Sequence, residues 1–176
     1  ILQAELRQIE QVRQRELLQE EASKDELTGL YNRRAWDKFL RAEEERCKQY
    51  GHPAAVLFID LNDLKKVNDS LGHEEGDRLI QNAAQVLRDN VRINDIVARL
   101  GGDEFVMLSV ENDKTGAETL PDRLIAAFAE ANIGAAIGLA MRHPSQGLFA
   151  ALAQADQNMF EYKRWKKASE AVAYLK

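Results

Sequence analysis

The sequence predicts a domain of the α/β or α+β class with a central sheet, carried behind one long N-terminal helix. Three observations predict this. Short apolar runs at 54–59, 95–100 and 105–110 alternate with longer stretches whose apolar residues recur at helical spacing. The first 23 residues are rich in Gln, Glu and Arg and contain neither Gly nor Pro. With 176 residues, 45% of them hydrophobic and 30% charged, the chain is long enough to bury a core and has an ordinary globular composition.

Composition also excludes several functions. A formal net charge of −5 argues against a nucleic-acid or membrane surface. No apolar run reaches the ~20 residues of a membrane span, and the charged N-terminus is unlike a signal peptide. Cys47 is the only cysteine, which excludes an internal disulfide and suits a reducing compartment. The chain opens without methionine, as a piece of a longer protein does.

Residues 1–23 form the first unit, a linker helix. Leu2, Ile9 and Val12 share a heptad frame that next meets Glu16 and Gln19, with Leu6 and Leu17 off it. This reads as a two-stranded coiled coil with an imperfect seam able to hold two registers; a lone solvated helix is the alternative. Residues 24–176 form the second unit. Ser23 and Glu26 stand at capping-box spacing, and Gly29 and Asn32 mark a turn. A helix is expected over 33–50 with Trp36, Phe39 and Leu40 on one face, ended by Gly51-His52-Pro53. The continuous apolar run 54–59 reads as a strand buried on both faces. A polar turn or short helix at 62–69 carries Lys65 and Lys66. An amphipathic helix follows Asp77, with Leu79, Ile80, Ala83, Ala84 and Leu87 inward. Runs 95–100 and 105–110 flank Gly101-Gly102 as a hairpin. A polar loop is expected at 111–116, a helix at 119–131, a strand at 132–142 and a helix at 148–167. A last short strand is expected at 171–175.

The hairpin tip holds the chemistry. Asp103 and Glu104 are adjacent acids directly after two glycines. Like charges side by side cost free energy unless a cation or proton reconciles them, and Mg²⁺ beside a phosphate would do so. A solvated acidic tip is the other reading. Asp60 ends a buried strand, where ligands of open sheets bind. Lys163, Arg164, Lys166 and Lys167 crowd the end of a helix, which the helix dipole alone would explain.

Taken in order, these blocks resemble the GGDEF family of bacterial diguanylate cyclases. The resemblance runs from Asp25 to about Lys167. It rests on Asp25 with Leu27-Thr28-Gly29-Leu30 and Asn32-Arg33-Arg34, on Asp60 through Asn68-Asp69, on Gly72-His73 with Gly76-Asp77, and on Arg99 with Gly101 to Phe105. Ile137-Gly138-Leu139-Ala140 and Asp156 through Lys163 match more loosely. The resemblance implies a mostly antiparallel five-stranded sheet flanked by helices, like the palm of polymerases. It also implies a cytoplasmic bacterial enzyme that joins two GTP into cyclic di-GMP and two pyrophosphates across a homodimer. The N-terminal helix would form that dimer and pass on the state of an upstream sensor domain.

The family's roles fall on residues able to perform them. Asp60, the Leu61 carbonyl, Asp103 and Glu104 would hold Mg²⁺, or Mn²⁺ in its place. Asp103 would also assist the 3′-hydroxyl. Backbone amides of Asp63 and Leu64, with the turn at Gly101 and Gly102, would cradle the nucleotide, and Lys65, Lys163 and Lys167 would neutralise the triphosphate. Asn68 and Asp77 would read guanine, since only guanine offers the N1–H and exocyclic amine that a carboxylate accepts from. Arg92 and Asp95 match an RxxD product-inhibition site, with Arg123 a candidate second arginine. Departures are mild: Leu64 replaces a common Phe, Asn62 a common Asp and Lys167 a frequent Arg, which loses bidentate geometry. A catalytically dead binding module would usually lose acids of the central motif, and Asp103 and Glu104 are intact. A cyclase making a mixed GMP-AMP product is disfavoured by Asp77, and a polymerase palm by the acidic surface.

Overall fold

A computed structural model describes residues 1–173. The apolar run after Pro53 becomes β1 (Ala54–Leu61), the centre of the sheet. β3 (Glu104–Val110) and β4 (Ala135–Met141) pair with it on either side, and β2 (Ile96–Gly101) lies outside β3. Every neighbouring pair is antiparallel. The expectation of an antiparallel sheet holds, but the described residues form four strands rather than five. The fifth was expected at 171–175. Residues 171–173 instead continue the long helix α7 (Gly147–Ala173), and Tyr174 and Leu175 lie outside the described residues. Ala168, Glu170, Ala171 and Ala173 favour helix, and no turn residue interrupts them.

Strand alternation divides the core into two layers. Leu57, Ile59 and Leu61 face α4 (His73–Asp89) and α6 (Leu120–Glu130), packing with Ile80, Leu87, Leu124 and Phe128. Val56 and Phe58 face α2 (Arg33–Tyr50) and α7, packing with Trp36, Leu40, Leu148 and Met159. Phe105 and Phe128 are fully buried, each worth about 1.5–3 kcal/mol in hydrophobic transfer. Cys47, also buried, has its thiol pushed up to about 11 by burial and by Glu43, which leaves it unreactive.

Two local expectations change. Ser23 caps nothing; its hydroxyl donates to the Glu20 carbonyl (2.6 Å) at the end of α1 (Leu2–Glu21). Residues 25–30 form a turn with Gly29 at φ 71°, so the N-cap moves to Asn32, which accepts from the Ala35 amide (3.0 Å). The expected polar loop at 111–116 contains the start of a short helix, α5 (Lys114–Glu118), capped by Asp113 on the Gly116 amide (2.8 Å). α1 buries none of its residues, and Leu2, Leu6, Ile9, Val12, Leu17 and Leu18 are all exposed.

Two contacts fix α7 on the sheet. A Cβ on Gly138 of β4 would lie 2.0 Å from the Ala155 carbonyl oxygen and 2.3 Å from the Met159 amide, so only glycine admits the helix this closely. At the start of α7, Glu44 accepts from Arg142 Nε (2.8 Å) and Nη2 (3.0 Å) and from the Leu148 amide (2.9 Å). The Arg142 bonds hold the Glu44 carboxyl below its ordinary range, against the opposing effect of burial. A depressed carboxyl contributes stability above its unfolded value and loses it as pH falls through the folded value. Glu44→Gln is therefore expected to cost about 2 kcal/mol at pH 7, read by urea denaturation. The wild type should approach the variant's stability as pH drops below the ordinary carboxylate range. A wild-type advantage that does not shrink on acidification would contradict this assignment.

Candidate active site

The antiparallel register sets Asp60 directly opposite Glu104 at the end of β1 and β3. Both side chains point to the α2/α7 face, because they share the alternation of Val56, Phe58 and Val106. Asp103 sits in the turn between the hairpin strands, and its carbonyl accepts from the Leu61 amide (3.0 Å). Like charges placed opposite one another across a ladder destabilise it. Burial raises the Glu104 carboxyl, and Asp60, Asp103 and Asp156 raise it further, while Arg33 opposes them. Burial also raises the Asp60 carboxyl; Lys163 opposes that rise and Asp103 reinforces it.

Lys163 Nζ lies 2.9 Å from Asp60 Oδ1. The contact is an ion pair by distance, yet Oδ1 is buried and makes no well-aligned hydrogen bond. Among the described residues, no three His, Cys, Asp or Glu side chains already converge as a closed metal cage. The donors on hand nonetheless fit a hard divalent cation. Mg²⁺ commonly takes one or two carboxylates and completes its shell with water and substrate phosphates. Asp60, Glu104 and the adjoining Leu61 carbonyl would supply the protein share, with Asp103 close by.

The hairpin that carries these acids is held from behind. Gly101 and Gly102 take positive φ (145° and 49°), and the ladder shifts register between Arg99 and Gly101. Arg99 reaches back with Nε and Nη2 to the Gly102 carbonyl (3.1 and 2.9 Å). Its Nη1 lies 3.2 Å from both oxygens of Asp25, in an ion pair whose partners are only 13% and 20% exposed. Asp25 in turn accepts from the Thr28 amide (2.9 Å) and hydroxyl (2.7 Å). The Arg99 amide donates to the Tyr31 carbonyl (2.9 Å), and Asn32 Nδ2 donates to the Ala22 carbonyl (2.8 Å) at the end of α1. The linker helix, the turn after it and the acidic hairpin thus form one hydrogen-bonded unit.

Beside the acids lies a cleft of about 430 Å³ between α3 (Leu64–Leu71), β4 and α7. Lys66, Lys163, Lys166 and Lys167 line it, together with Asn62, Asp63 and Gly134. Asp63 adopts the left-handed conformation (φ 64°) as it enters α3, whose first amides have no side-chain cap. Lys163 and Lys167, expected at the triphosphate, lie on the wall of this basic cleft. Lys65 is exposed and does not line it; Lys66 does, held by Asp63 (2.8 Å). Lys65 is turned about 100° round α3 from Lys66, which carries it off the wall that Lys66 faces. The Lys65-Lys66 doublet was the available signal. Arg33, which acts on Glu104 from the start of α2, had no signal beyond its place in Asn32-Arg33-Arg34.

Asn68 stands on α3 and Asp77 on α4. A Cβ on Gly76 would fall 1.8 Å from Asn68 Oδ1, so glycine at 76 makes room for the Asn68 side chain against α4. Asp77 is exposed. Arg92 and Asp95 are differently placed. The Asp95 side chain is fully buried and accepts from Arg92 Nε and Nη2 (both 3.3 Å) and from the Val110 amide (3.2 Å). Arg92 is half exposed and also donates to the Val110 carbonyl (2.8 Å) and Ser109 Oγ (3.2 Å). Arg123 donates to the Asn90 carbonyl (2.9 Å), which brings it to the same end of the domain.

Comparison with known proteins identifies this arrangement. Residues 22–169 match the family model described as "Diguanylate cyclase, GGDEF domain". The bifunctional diguanylate cyclase/cyclic di-GMP phosphodiesterase MucR of Pseudomonas aeruginosa is 40% identical over 141 residues, which cover 76% of this chain and 20% of MucR. The probable diguanylate cyclase DgcC of Escherichia coli K12 is 29% identical over 157 residues, 89% of this chain and 41% of DgcC. The chain therefore spans less than half the length of these curated relatives. The coiled coil and GGDEF domain of DgcB from Caulobacter crescentus, solved in complex with c-di-GMP, superposes with a TM-score of 0.83. It is 24% identical and covers 93% of this chain and 92% of its own, a likeness of fold. Paired acids on a glycine hairpin, a basic cleft beside them and a family match across most of the chain lead to one conclusion: the chain belongs to the GGDEF family of diguanylate cyclase domains.

Proposed function

We propose that the chain is a diguanylate cyclase domain that condenses two GTP molecules into cyclic di-GMP and two pyrophosphates. The observation that carries this reading is the facing of Asp60 and Glu104 beside a cleft lined by four lysines. Acids that need a cation and a pocket that needs an anion adjoin one another, as a metal-nucleotide complex requires. Mg²⁺, or Mn²⁺, supplies charge neutralisation at the reacting phosphorus and lowers the pKa of an oxygen bound to it.

This chain's residues do the rest. The amides at Asp63 and Leu64 and the side chains of Lys66, Lys163 and Lys167 bind the triphosphate and stabilise charge on the departing pyrophosphate. Lys65, on the exposed side of the same turn, approaches the phosphates from outside the cleft. Asp77 and Asn68 hold guanine by its N1–H, exocyclic amine and carbonyl edge. Asp103, next to the metal acids, orients the 3′-hydroxyl and takes up its proton. The flexible Gly101-Gly102 turn lets the nucleotide approach the hairpin backbone.

One chain holds one nucleotide, so the reaction needs two domains face to face. The exposed apolar residues of α1 support a homodimer through that helix, with an upstream sensor setting its geometry. Among the described residues no helix is long and apolar enough to cross a membrane. Product inhibition through Arg92 and Asp95 belongs to the same reading. Because the Asp95 carboxylate is buried, Arg92 is the group that meets the ligand first, and full engagement requires this turn to open.

Glu104→Gln is expected to lower cyclic di-GMP formation from GTP and Mg²⁺ by at least about 10³-fold without lowering thermal stability. Near-normal turnover in that variant would overturn the metal assignment. Arg92→Ala is expected to raise the cyclic di-GMP concentration for half-inhibition at least about tenfold, the value of one lost charge-assisted contact. Unchanged inhibition would remove Arg92 from the inhibitory site.

A further inference from the structure

Lys163 stands between the two halves of the site and touches both. Its ammonium pairs with Asp60 Oδ1 at 2.9 Å, where the carboxylate is 15% exposed and the lysine 29%. The same side chain lines the basic cleft with Lys66, Lys166 and Lys167. Its backbone is fixed, because α7 is clamped against Gly138 and by the Asn158 bond to the Leu139 carbonyl (2.8 Å). Movement is therefore confined to the four-carbon stem, which is flexible in lysine. An ammonium 2.9 Å from Asp60 Oδ1 repels a divalent cation approaching the same carboxylate, so the two compete for it.

We propose that Lys163 competes with divalent metal for Asp60, keeping metal off that carboxylate until nucleotide phosphates in the cleft draw its ammonium away. The proposal rests on the metal-nucleotide reading above and adds an exchange between its parts. A near-buried carboxylate left without a counter-charge is costly, and the Lys163 ammonium offsets that cost at Asp60. Phosphates offer Lys163 an anionic alternative a short swing away, and Asp60 then becomes free for the metal. Nucleotide and metal binding are thereby coupled, and the coupling is reciprocal.

The test compares wild type with Lys163→Met and Lys166→Met. The last variant removes a cleft charge that makes no ion pair with Asp60. Mn²⁺ is titrated into nucleotide-free protein and followed by electron paramagnetic resonance; a non-hydrolysable GTP analogue is titrated separately in EDTA. Lys163→Met is expected to bind Mn²⁺ about tenfold more tightly than wild type and the analogue about tenfold more weakly. Lys166→Met should weaken the analogue but change Mn²⁺ affinity by less than about threefold. The opposite signs in Lys163→Met are the signature, because mere damage to the fold weakens both. Lys163→Gln serves if the methionine variant does not fold. Unchanged or weaker Mn²⁺ affinity in Lys163→Met overturns the exchange. Tighter Mn²⁺ with unchanged analogue affinity overturns it as well, since Lys163 then has no second partner. Failure of the underlying reading is distinct: wild type itself would bind no analogue even with Mg²⁺ present.

Discussion

An antiparallel register that sets Asp60 opposite Glu104 forces two carboxylates onto one face of the sheet, where burial already disfavours their charge. The rest of the domain arranges itself around that constraint. β1 is central and buried on both faces, so the position of Asp60 is fixed by the core rather than by a loop. β3 begins at Glu104 because the Gly101-Gly102 turn, with both residues at positive φ, ends there. α7 lies across β4 where Gly138 has no side chain, and this brings Lys163 to Asp60 and sets Lys166 and Lys167 opposite Lys66 of α3 as a positive wall of the cleft. The acids need a cation, and the cleft beside them needs an anion.

The same hairpin is reached from the other direction by the linker. Arg99 connects the Gly102 carbonyl to Asp25, Tyr31 adds a backbone bond to β2, and Asn32 ties the turn to the last carbonyls of α1. A change in the direction of α1 therefore meets a chain of hydrogen bonds, the Arg99 side-chain bonds among them charge-assisted, before it meets the acids. α1 itself buries nothing within one chain, and its exposed apolar residues are the surface that the proposed dimer would cover. In this account the partner that covers the helix also supplies the second half-site.

Much of this was legible in the residues. The buried strand ending on Asp60, the hairpin with its glycine turn and the helix over 33–50 all follow from apolar spacing and turn chemistry. Asp103 and Glu104 stood out as two acids after two glycines, but a solvated tip read as well until the other motif blocks and the family resemblance joined them; that Asp60 faces Glu104 came from the strand register. What was not legible depended on distant or competing contacts. The capping-box spacing of Ser23 and Glu26 lost to Asn32, because Asp25 is occupied by Thr28 and Arg99. The expected last strand lost to helix propensity around Ala171, which sequence alone weighs poorly near a terminus. Which of Lys65 and Lys66 faces the cleft depends on where α3 starts, and that is set by the left-handed Asp63. That Asp95 is sealed beneath Arg92 is a matter of burial, which a four-residue pattern does not encode.

The most direct test is the rate of product formation from GTP and Mg²⁺ measured across protein concentrations, with ATP as the control nucleotide. The account predicts cyclic di-GMP from GTP, none of the corresponding product from ATP, and a rate that rises faster than linearly with protein until dimers dominate. Cyclic di-GMP formed at a rate strictly proportional to protein, down to concentrations where the chain is shown to be monomeric, would contradict the claim that two half-sites must meet. Binding of GTP without any product, even in dimers enforced through α1, would contradict the catalytic reading itself.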